Sequence, residues 1–271
     1  MPANDIVGEV AALREPLELI MREAGQIARE TARGEFKRWT KGHDNSPVSE
    51  GDIAVNNFLR ARLGALAPAA GWLSEETEDV PAARAMNTVW IVDPIDGTRA
   101  YITHRHDWTV SVALVAAGRP LLAALFAPVT DEMFLAVAGR GATRNGVPMT
   151  VSPGAGLSGA RVAGPKRVLD QVAAASPDAQ PQAKVFSLAL RLTRVAEGAF
   201  EAALSTPGSH DWDLAAADLL VHEAGGVLTD VAGKGLRYNQ SQTTHGALIA
   251  AGPARHGTLI ELMRDRLPEF A

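Results

Sequence analysis

Residues 88–98 read TVWIVDPIDGT, an apolar run that ends in two aspartates, Asp93 and Asp96. The apolar run predicts a buried strand, and the proline and glycine after it predict a turn. Side chains three positions apart in a strand point to opposite faces, so the two carboxylates can converge only if a turn replaces the strand there. Converging carboxylates beside a bared Ile95 carbonyl would suit Mg²⁺, which prefers oxygen ligands. Taken alone, the same residues are also typical of a solvated turn.

Two further acidic clusters follow predicted elements. SEETED, residues 74–79, comes after a strand-like segment, and HDWDLAAADLL, residues 210–220, places Asp211 and Asp213 where an apolar helix begins. Each cluster alone is typical of an exposed loop or of helix N-capping. Three acidic clusters at the ends of elements, however, form the arrangement that a site for several metal ions requires.

Three segments carry a resemblance to a known family: WLSEE (residues 72–76), WIVDPIDGT (90–98) and WDLAAADLLVHEAGG (212–226). In order and spacing they resemble the signatures of the inositol monophosphatase superfamily of Mg²⁺-dependent, lithium-sensitive phosphatases, over residues 41–252. The resemblance implies an α+β fold of the layered αβαβα type. It also implies two sub-domains, residues 1–152 with most of the metal ligands and residues 153–271 with the WD motif, and a metal site in the cleft between them.

The resemblance assigns roles to individual residues. The ligands of two or three Mg²⁺ ions would be Glu75, Asp93, the Ile95 carbonyl, Asp96 and Asp213. Asp93 would bridge two ions, and Asp52, within SPVSEGD, would act with Thr98 to activate a water. Backbone N–H groups of Gly97 and Thr98 would bind the phosphate, and Lys41 would place a positive charge near it or behind the ligands.

The predicted reaction is the hydrolysis of a phosphate monoester. Such a dianion repels hydroxide, so metal ions are needed to neutralise the phosphoryl oxygens, lower the pKa of the attacking water and stabilise the leaving alkoxide. We therefore expect direct in-line attack of water, without a covalent intermediate.

The predicted substrate is a 3′(2′),5′-bisphosphate nucleotide such as adenosine 3′,5′-bisphosphate. Inositol phosphatases of the superfamily usually carry a glutamate seven residues before the third-motif aspartate, whereas this chain has Thr206 there, and its nearest upstream glutamate is Glu201. DGTRAYI, with Arg99, and GLRYN, residues 235–239, look more like the bacterial bisphosphate nucleotidases. The candidate cations for a second phosphate are Arg99, Arg105 and Arg237.

Three alternatives stay open at this point. An inositol-1-phosphate phosphatase would require a different alignment of the loop before Asp213, so that Glu201 or another group grips the ring. Histidinol-phosphate phosphatases share the basic and aromatic residues that follow DGT. A non-catalytic metal-binding or scaffold protein of the same fold is the third alternative, because fold alone does not establish activity.

The composition is that of a globular protein, with 271 residues of which 46% are hydrophobic and 21% are charged. The net charge of -5 argues against a nucleic-acid polymer as partner. Without cysteine, any metal must bind oxygen or histidine. The chain begins without the basic and apolar regions of a signal peptide, and a Gly-Arg-Pro sequence interrupts its most apolar segment. We expect a cytoplasmic protein that acts on a small phosphate ester away from membranes, and the resemblance is compatible with a homodimer.

Apolar spacing predicts helices over residues 6–32, 50–66, 187–197, 212–224 and 258–267. Strands are predicted in several short runs between residues 71 and 151, with a hairpin turn at Asn145-Gly146, and later near residues 161–163, 199–204, 226–230 and 246–252. Residues 164–183 carry no clear pattern. GAGLSG, residues 154–159, matches a dinucleotide-binding glycine pattern but lacks the strand before it, which predicts a linker instead. His104 and His106 follow the predicted metal loop and are typical of a polar loop.

Overall fold

The computed structural model describes residues 3–41 and 46–266, which form five layers: helices, sheet, helices, sheet, helices. This arrangement confirms the predicted αβαβα fold. The helices of the described residues are α1 (Ala3–Ala12), α2 (Arg14–Thr31), α3 (Glu50–Leu66), α4 (Thr98–Tyr101), α5 (Lys166–Ala175), α6 (Leu188–Ala196), α7 (Asp211–Glu223) and α8 (Pro253–Arg266). A short 3₁₀ helix spans Pro81–Arg84.

A seven-stranded sheet forms the first β layer. Its strands, in spatial order, are β3 (Gly71–Ser74), β4 (Thr88–Asp96), β5 (Thr109–Ala116), β6 (Arg119–Ala127), β7 (Glu132–Val137), β8 (Ala142–Arg144) and β9 (Val147–Pro148). The first pair is parallel, and the remaining pairs are antiparallel.

A five-stranded sheet forms the second β layer. It contains β10 (Arg161–Ala163), β11 (Gln180–Pro181), β12 (Ala202–Ser205), β14 (Val227–Asp230) and β16 (Leu248–Ala251), in the spatial order β11-β10-β12-β16-β14. Two small ladders lie outside the sheets. They pair β1 (Arg38–Lys41) with β2 (Ser46–Ser49), and β13 (Ser209–His210) with β15 (Thr244–His245).

Three hydrophobic clusters hold the layers together. One joins α2 and α3 to the outer face of the seven-stranded sheet, one joins both sheets to α6 and α7, and the third joins α5 and α8 to the five-stranded sheet. Helix α7 has little amphipathic pattern because it lies between two sheets, and residues Leu214–Val221 are all buried.

Most predicted elements are confirmed, with three corrections. The first predicted helix is broken at Leu13 into α1 and α2. Residues 164–183, which showed no clear pattern, contain α5 and β11. The last predicted helix is found as Pro253–Arg266, and its predicted end at Leu267 lies outside the described residues.

Local chemistry explains the sharpest boundaries. Ser49 Oγ accepts a hydrogen bond from the Gly51 N–H, and Asp52 Oδ2 accepts one from the Ser49 N–H at 2.8 Å, so the predicted cap of α3 is a reciprocal capping box. Asn145 and Gly146 have φ values of 48° and 80°, which the hairpin turn requires. The GAGLSG segment is a loop held by the Arg255 guanidinium, which donates to the carbonyls of Pro153 and Gly156, as expected for a linker.

The α2–β6 contact gives a first prediction. A Cβ added at Gly25 would lie 2.5 Å from the Phe126 ring and 2.8 Å from Pro128, so Gly25→Ala should destabilise the protein by about 1–3 kcal/mol through overpacking. Gly64, near the end of α3, has no atom within 4 Å of such a Cβ, and Gly64→Ala should stabilise the protein by about 0.5–1 kcal/mol. Urea unfolding of both variants checks the opposite signs; equal effects would contradict the packing described.

Candidate active site

A β-bulge brings the two aspartates of the DPIDGT segment together. In the ladder between β4 and β5, Asp93 faces Ser111 and Asp96 faces Thr109, so three steps along β4 match two along β5. The extra residue turns both carboxylates toward the same side. The prediction that a turn would replace the strand here was wrong, because the strand continues through the bulge to Asp96. The Ile95 N–H donates to Asp93 Oδ1 at 2.9 Å and fixes that carboxylate.

Asp93, Asp96 and Asp213 form an acidic cluster. Each offers one carboxylate oxygen, and these oxygens lie within 4.8 Å of one another. Asp93 is 1% exposed and Asp96 5%, so water screens their charges poorly. Among the described residues this trio is the group whose geometry could hold a metal ion.

The beginning of α6 positions Asp96. Its carboxylate accepts hydrogen bonds from Ser187 Oγ at 2.6 Å, from the Ala189 N–H at 2.7 Å and from the Leu188 N–H at 3.2 Å. Free N–H groups at the start of a helix stabilise an anion. The sequence predicted a helix near Ser187 but gave no indication that its first turn binds Asp96.

The beginning of α7 positions Asp213. Its Oδ2 accepts a hydrogen bond from the His210 N–H at 2.6 Å, so this aspartate caps the helix and also belongs to the acidic cluster. Asp211 has a different role. It is fully buried, and it accepts hydrogen bonds from the Asn239 N–H and from His245 Nε2, each at 2.7 Å.

Glu75 lies beside the cluster at the end of β3, and a cation contacts it. Lys41 Nζ is 3.2 Å from Glu75 Oε1 and 2.6 Å from Glu76 Oε1. Lys41 therefore neutralises the two glutamates, and it also lines a cavity of about 430 Å³ with Glu75 and Asp213. The Glu76 side chain is only 4% exposed, so this part of the SEETED segment is not a solvated loop.

Asp52 and Thr98 form the predicted pair. Thr98 Oγ1 donates to Asp52 Oδ1 at 3.2 Å, and it also lies 3.1 Å from the Ile95 carbonyl. Asp52 is 1% exposed, and burial raises its pKa to about 6 although the hydrogen bonds from Ser49 oppose the shift. Gly97 precedes α4 with φ 93°, and a Cβ there would lie 3.0 Å from the Ser187 nitrogen, so glycine is required for this close approach.

Burial and mutual repulsion raise the pKa values of the acidic cluster. The pKa of Asp93 is held well above its usual range by burial and then by the charges of Glu75, Asp96 and Asp213. Burial, Asp96 and Glu75 act in the same way on the pKa of Asp213. For Asp96, burial raises the pKa while its hydrogen bonds oppose the shift. A bound cation would stabilise the ionised form of these carboxyl groups and oppose the rise in their pKa values.

A cavity of about 230 Å³ opens onto the cluster. Its lining contains the predicted Glu75, Asp93, Ile95, Asp96, Gly97, Thr98, Arg99 and Asp213, together with Ser46, Pro47, Lys184 and Phe186. The last four were not identified from the sequence. Lys184 directly follows the stretch without clear pattern, and its Nζ is 4.4 Å from the centre of the Phe186 ring.

A larger groove of about 700 Å³ adjoins this cavity and shares Lys184 with it. Thr206 lines the groove, and so does Arg191, which sequence reasoning missed. Burial lowers the pKa of Arg191 while the charge of Asp96 opposes the shift. The buried Nε of Arg191 has no hydrogen-bond partner among the described residues.

Three candidate residues lie away from the cluster. Arg237 Nη1 donates to the Ala117 carbonyl, in the turn at the opposite end of β5 from Thr109, about 25 Å along the strand. The structure therefore does not bring Arg237 to this site, and its predicted contact with the substrate is wrong for this cavity. Arg105 binds Asp107 and lies over the Phe186 ring. Glu201 binds the Arg161 side chain.

The donor set fits Mg²⁺. It consists of carboxylate oxygens and the Ile95 carbonyl, which are the hard ligands this ion prefers. Their raised pKa values and the short distances among Asp93, Asp96 and Asp213 show a concentration of negative charge that Lys41 only partly neutralises.

Comparison with known proteins identifies the family. The profile described as the inositol monophosphatase family matches residues 10–267. The chain belongs to this family, and it is a metal-dependent hydrolase of phosphate monoesters that uses Mg²⁺. None of the helices in the described part of the chain is both long and apolar enough to cross a membrane.

Three relatives differ in their names. The chain is 29% identical to a 3′(2′),5′-bisphosphate nucleotidase CysQ of Haemophilus influenzae over 219 residues, which is 74% of this chain and 78% of the relative. It is 27% identical to an inositol-1-monophosphatase of Bacillus subtilis, over 89% of this chain and 92% of the relative. It is 36% identical to a Streptomyces griseus protein named glucose-1-phosphate thymidylyltransferase, covering 71% and 76%.

Solved structures agree with the fold. The extragenic suppressor protein suhB from Bartonella henselae superposes with a TM-score of 0.81 at 25% identity, covering 92% of this chain and 97% of that chain. An IMPase/NADP phosphatase complexed with Mg²⁺ and phosphate has a TM-score of 0.81 at 24% identity, covering 93% and 96%. The latter supports the shared fold.

The raised pKa values predict how stability depends on pH without metal. A carboxylate whose pKa is raised on folding destabilises the folded state increasingly as the pH rises from the unfolded-state pKa to the folded-state pKa. The cost is absent at a pH below the unfolded-state pKa, where the group is protonated in both states. In EDTA at pH 8, Asp93→Asn should therefore be more stable than the unaltered protein, and this difference should shrink toward pH 4.

The control is Glu261→Gln, an exposed residue of α8, which should show no such pH-dependent difference. Saturating Mg²⁺ should raise the melting temperature of the unaltered protein more than that of Asp93→Asn. Thermal melts from pH 4 to 8 measure both effects. An Asp93→Asn variant that is less stable in EDTA at pH 8 would show that the carboxylate is structural.

Proposed function

We propose that this phosphatase is a 3′(2′),5′-bisphosphate nucleotidase. The observation that carries the proposal is the groove beside the acidic cluster. A substrate with two phosphates needs a cation for the phosphate that is not cleaved, and Arg191 lines this groove with a buried Nε that lacks a partner.

The charges along the groove support a second anionic group. Lys166, Lys184 and Arg191 line it, against one acidic residue, Asp170, which is paired with Lys166. A nucleoside is also compatible with the size of the groove, about 700 Å³.

The same region gives little support for an inositol phosphate. The position at which inositol phosphatases of the superfamily usually carry a glutamate is Thr206. Glu201, the alternative residue for binding the ring hydroxyls, already accepts hydrogen bonds from the Arg161 side chain and backbone N–H.

The proposed chemistry uses the Asp52–Thr98 pair. The Thr98 hydroxyl donates a hydrogen bond to Asp52, so the lone pairs of Thr98 Oγ1 are free to accept a proton from the attacking water. With a pKa of about 6, most of the Asp52 carboxyl group is ionised at neutral pH. Its pKa is also close enough to neutral pH for the carboxylate to act as a general base and accept that proton. Mg²⁺, when bound at the carboxylates, neutralises the phosphoryl oxygens and lowers the pKa of the water. Backbone N–H groups at Gly97 and Thr98 orient the phosphate.

A substrate panel tests the proposal. Phosphate release with Mg²⁺ is measured on adenosine 3′,5′-bisphosphate, inositol 1-phosphate, histidinol phosphate and glucose 1-phosphate, the last because of the name of the Streptomyces relative. We expect the highest kcat/KM for the bisphosphate. A higher kcat/KM for any of the other three would contradict the proposal.

The role of Arg191 is tested by comparing adenosine 3′,5′-bisphosphate with adenosine 3′-monophosphate. Arg191→Gln should lower kcat/KM for the bisphosphate by about ten- to a hundredfold, since it removes one charged hydrogen-bond partner, and should affect the monophosphate much less. Arg60→Gln, an exposed arginine of α3 outside every described cavity, is the matched control. An equal loss of kcat/KM on both substrates would mean that Arg191 acts through its electrostatic interaction with Asp96 and does not bind the second phosphate.

A further inference from the structure

A second cavity, of about 230 Å³, lies outside the active site, between the end of α2 and the loop that follows α4. Its lining residues are Arg29, Ala32, Arg33, Tyr101, His104, Arg105, His106, Trp108 and Val129. We call it the α2–α4 pocket. It adjoins a further cavity of about 350 Å³ along α2, with which it shares Arg29 and Arg33.

The pocket concentrates positive charge on an acidic protein. Its lining contains three arginines and two histidines, and none of the described residues that form it is acidic. The chain as a whole carries a net charge of -5. Cations gathered around a concave surface attract anions from solution.

Two of the arginines are held in place by the protein. Arg29 Nη1 donates to the Pro128 carbonyl at 3.2 Å, and Arg105 Nε donates to Asp107 Oδ1 at 2.9 Å. Arg33 and the two histidines are exposed, and no ion pair to an acidic group is found for them among the described residues. Their N–H donors are exposed to solvent at the rim of the pocket.

The floor of the pocket is rigid and aromatic. Trp108 is 3% exposed and Tyr101 1%, and their rings meet edge to face at 4.9 Å. His104 has φ 54°, an uncommon conformation that turns the loop there, and its ring stands edge-on to Phe36. A buried aromatic floor with exposed guanidinium and imidazole N–H donors at the rim favours a small anionic ligand.

From this geometry we infer that the α2–α4 pocket binds a phosphate group, distinct from the phosphate hydrolysed at the acidic cluster. Guanidinium groups match the oxygens of a phosphate in geometry and charge. The bound group is either free inorganic phosphate or the phosphate of a small phosphomonoester. This inference does not depend on which ester the active site prefers.

The pocket is connected to the active site through one residue. Asp107, which binds Arg105, accepts a hydrogen bond from the Phe186 N–H at 2.8 Å, and its carbonyl accepts one from the Ser187 N–H at 3.1 Å. Phe186 lines the catalytic cavity and Ser187 binds Asp96. Three hydrogen bonds, Arg105–Asp107, Asp107–Ser187 and Ser187–Asp96, would therefore link a ligand on Arg105 to the acidic cluster.

Nuclear magnetic resonance of the full chain with Mg²⁺ tests the inference. Inorganic phosphate, O-phosphoserine and serine are titrated in separate experiments, and a phosphorus-31 spectrum verifies that each O-phosphoserine sample is still intact. The Trp108 indole N–H and the Asp107 and Trp108 amides report on the pocket. The Thr98 amide reports separately on the active site. Both phosphates should shift the two groups of signals, and serine should shift neither. Tighter binding of O-phosphoserine assigns the site to an ester, and equal or tighter binding of inorganic phosphate assigns it to the free anion.

The test variant is Arg33→Gln with His104→Asn and His106→Gln, in which asparagine is chosen because it tolerates positive φ. It should weaken binding at the Trp108 signals by about tenfold, given the strength of exposed ion pairs, and leave the Thr98 response and the phosphatase activity unchanged. Arg60→Gln should change neither. The inference is overturned if phosphate does not move the Trp108 signals, if serine moves them equally, or if the triple variant keeps the response.

Discussion

The repulsion among Asp93, Asp96 and Asp213 is the constraint on which the rest of the structure depends. Buried carboxylates whose oxygens lie within 4.8 Å of one another destabilise a fold unless they are protonated or share a cation. Lys41 neutralises only part of this negative charge, through its ion pair with Glu75. The arrangement makes physical sense as a metal site, because Mg²⁺ supplies the charge that the polypeptide lacks.

The fold contributes rigid supports for these carboxylates. The bulge in β4 turns Asp93 and Asp96 to one side, the first turn of α6 binds Asp96, and the first turn of α7 binds Asp213. Both helices are packed between the two sheets, and this packing holds the first turns of α6 and α7 next to β4. The order of layers thus serves the site directly, since it brings three chain segments far apart in sequence to one cavity.

The sequence predicts most helices and strands because their apolar spacing is periodic, and it predicts the layered fold through the family resemblance of three motifs. Apolar spacing marks the helices, and the motifs around Asp93 and Asp213 are long enough to be specific, while the assignment of these residues as metal ligands stays a prediction. Sequence reasoning fails for residues that only the folded chain brings to the site. Ser187, Lys184 and Arg191 reach the site only once α6 is folded against β4, and no local pattern indicates that. Arg237 shows the converse error, because a basic residue in a familiar segment proved to lie at the far end of β5.

The most direct test of this account is a crystal structure with Mn²⁺ in place of Mg²⁺, read from its anomalous scattering. The account predicts at least one strong peak within coordination distance of Asp93, Asp96 or Asp213 and of the Ile95 carbonyl, with occupancy reduced in Asp213→Asn. Peaks only at other surface carboxylates, with the acidic cluster empty at saturating Mn²⁺, would contradict the central claim that the cluster exists to bind metal.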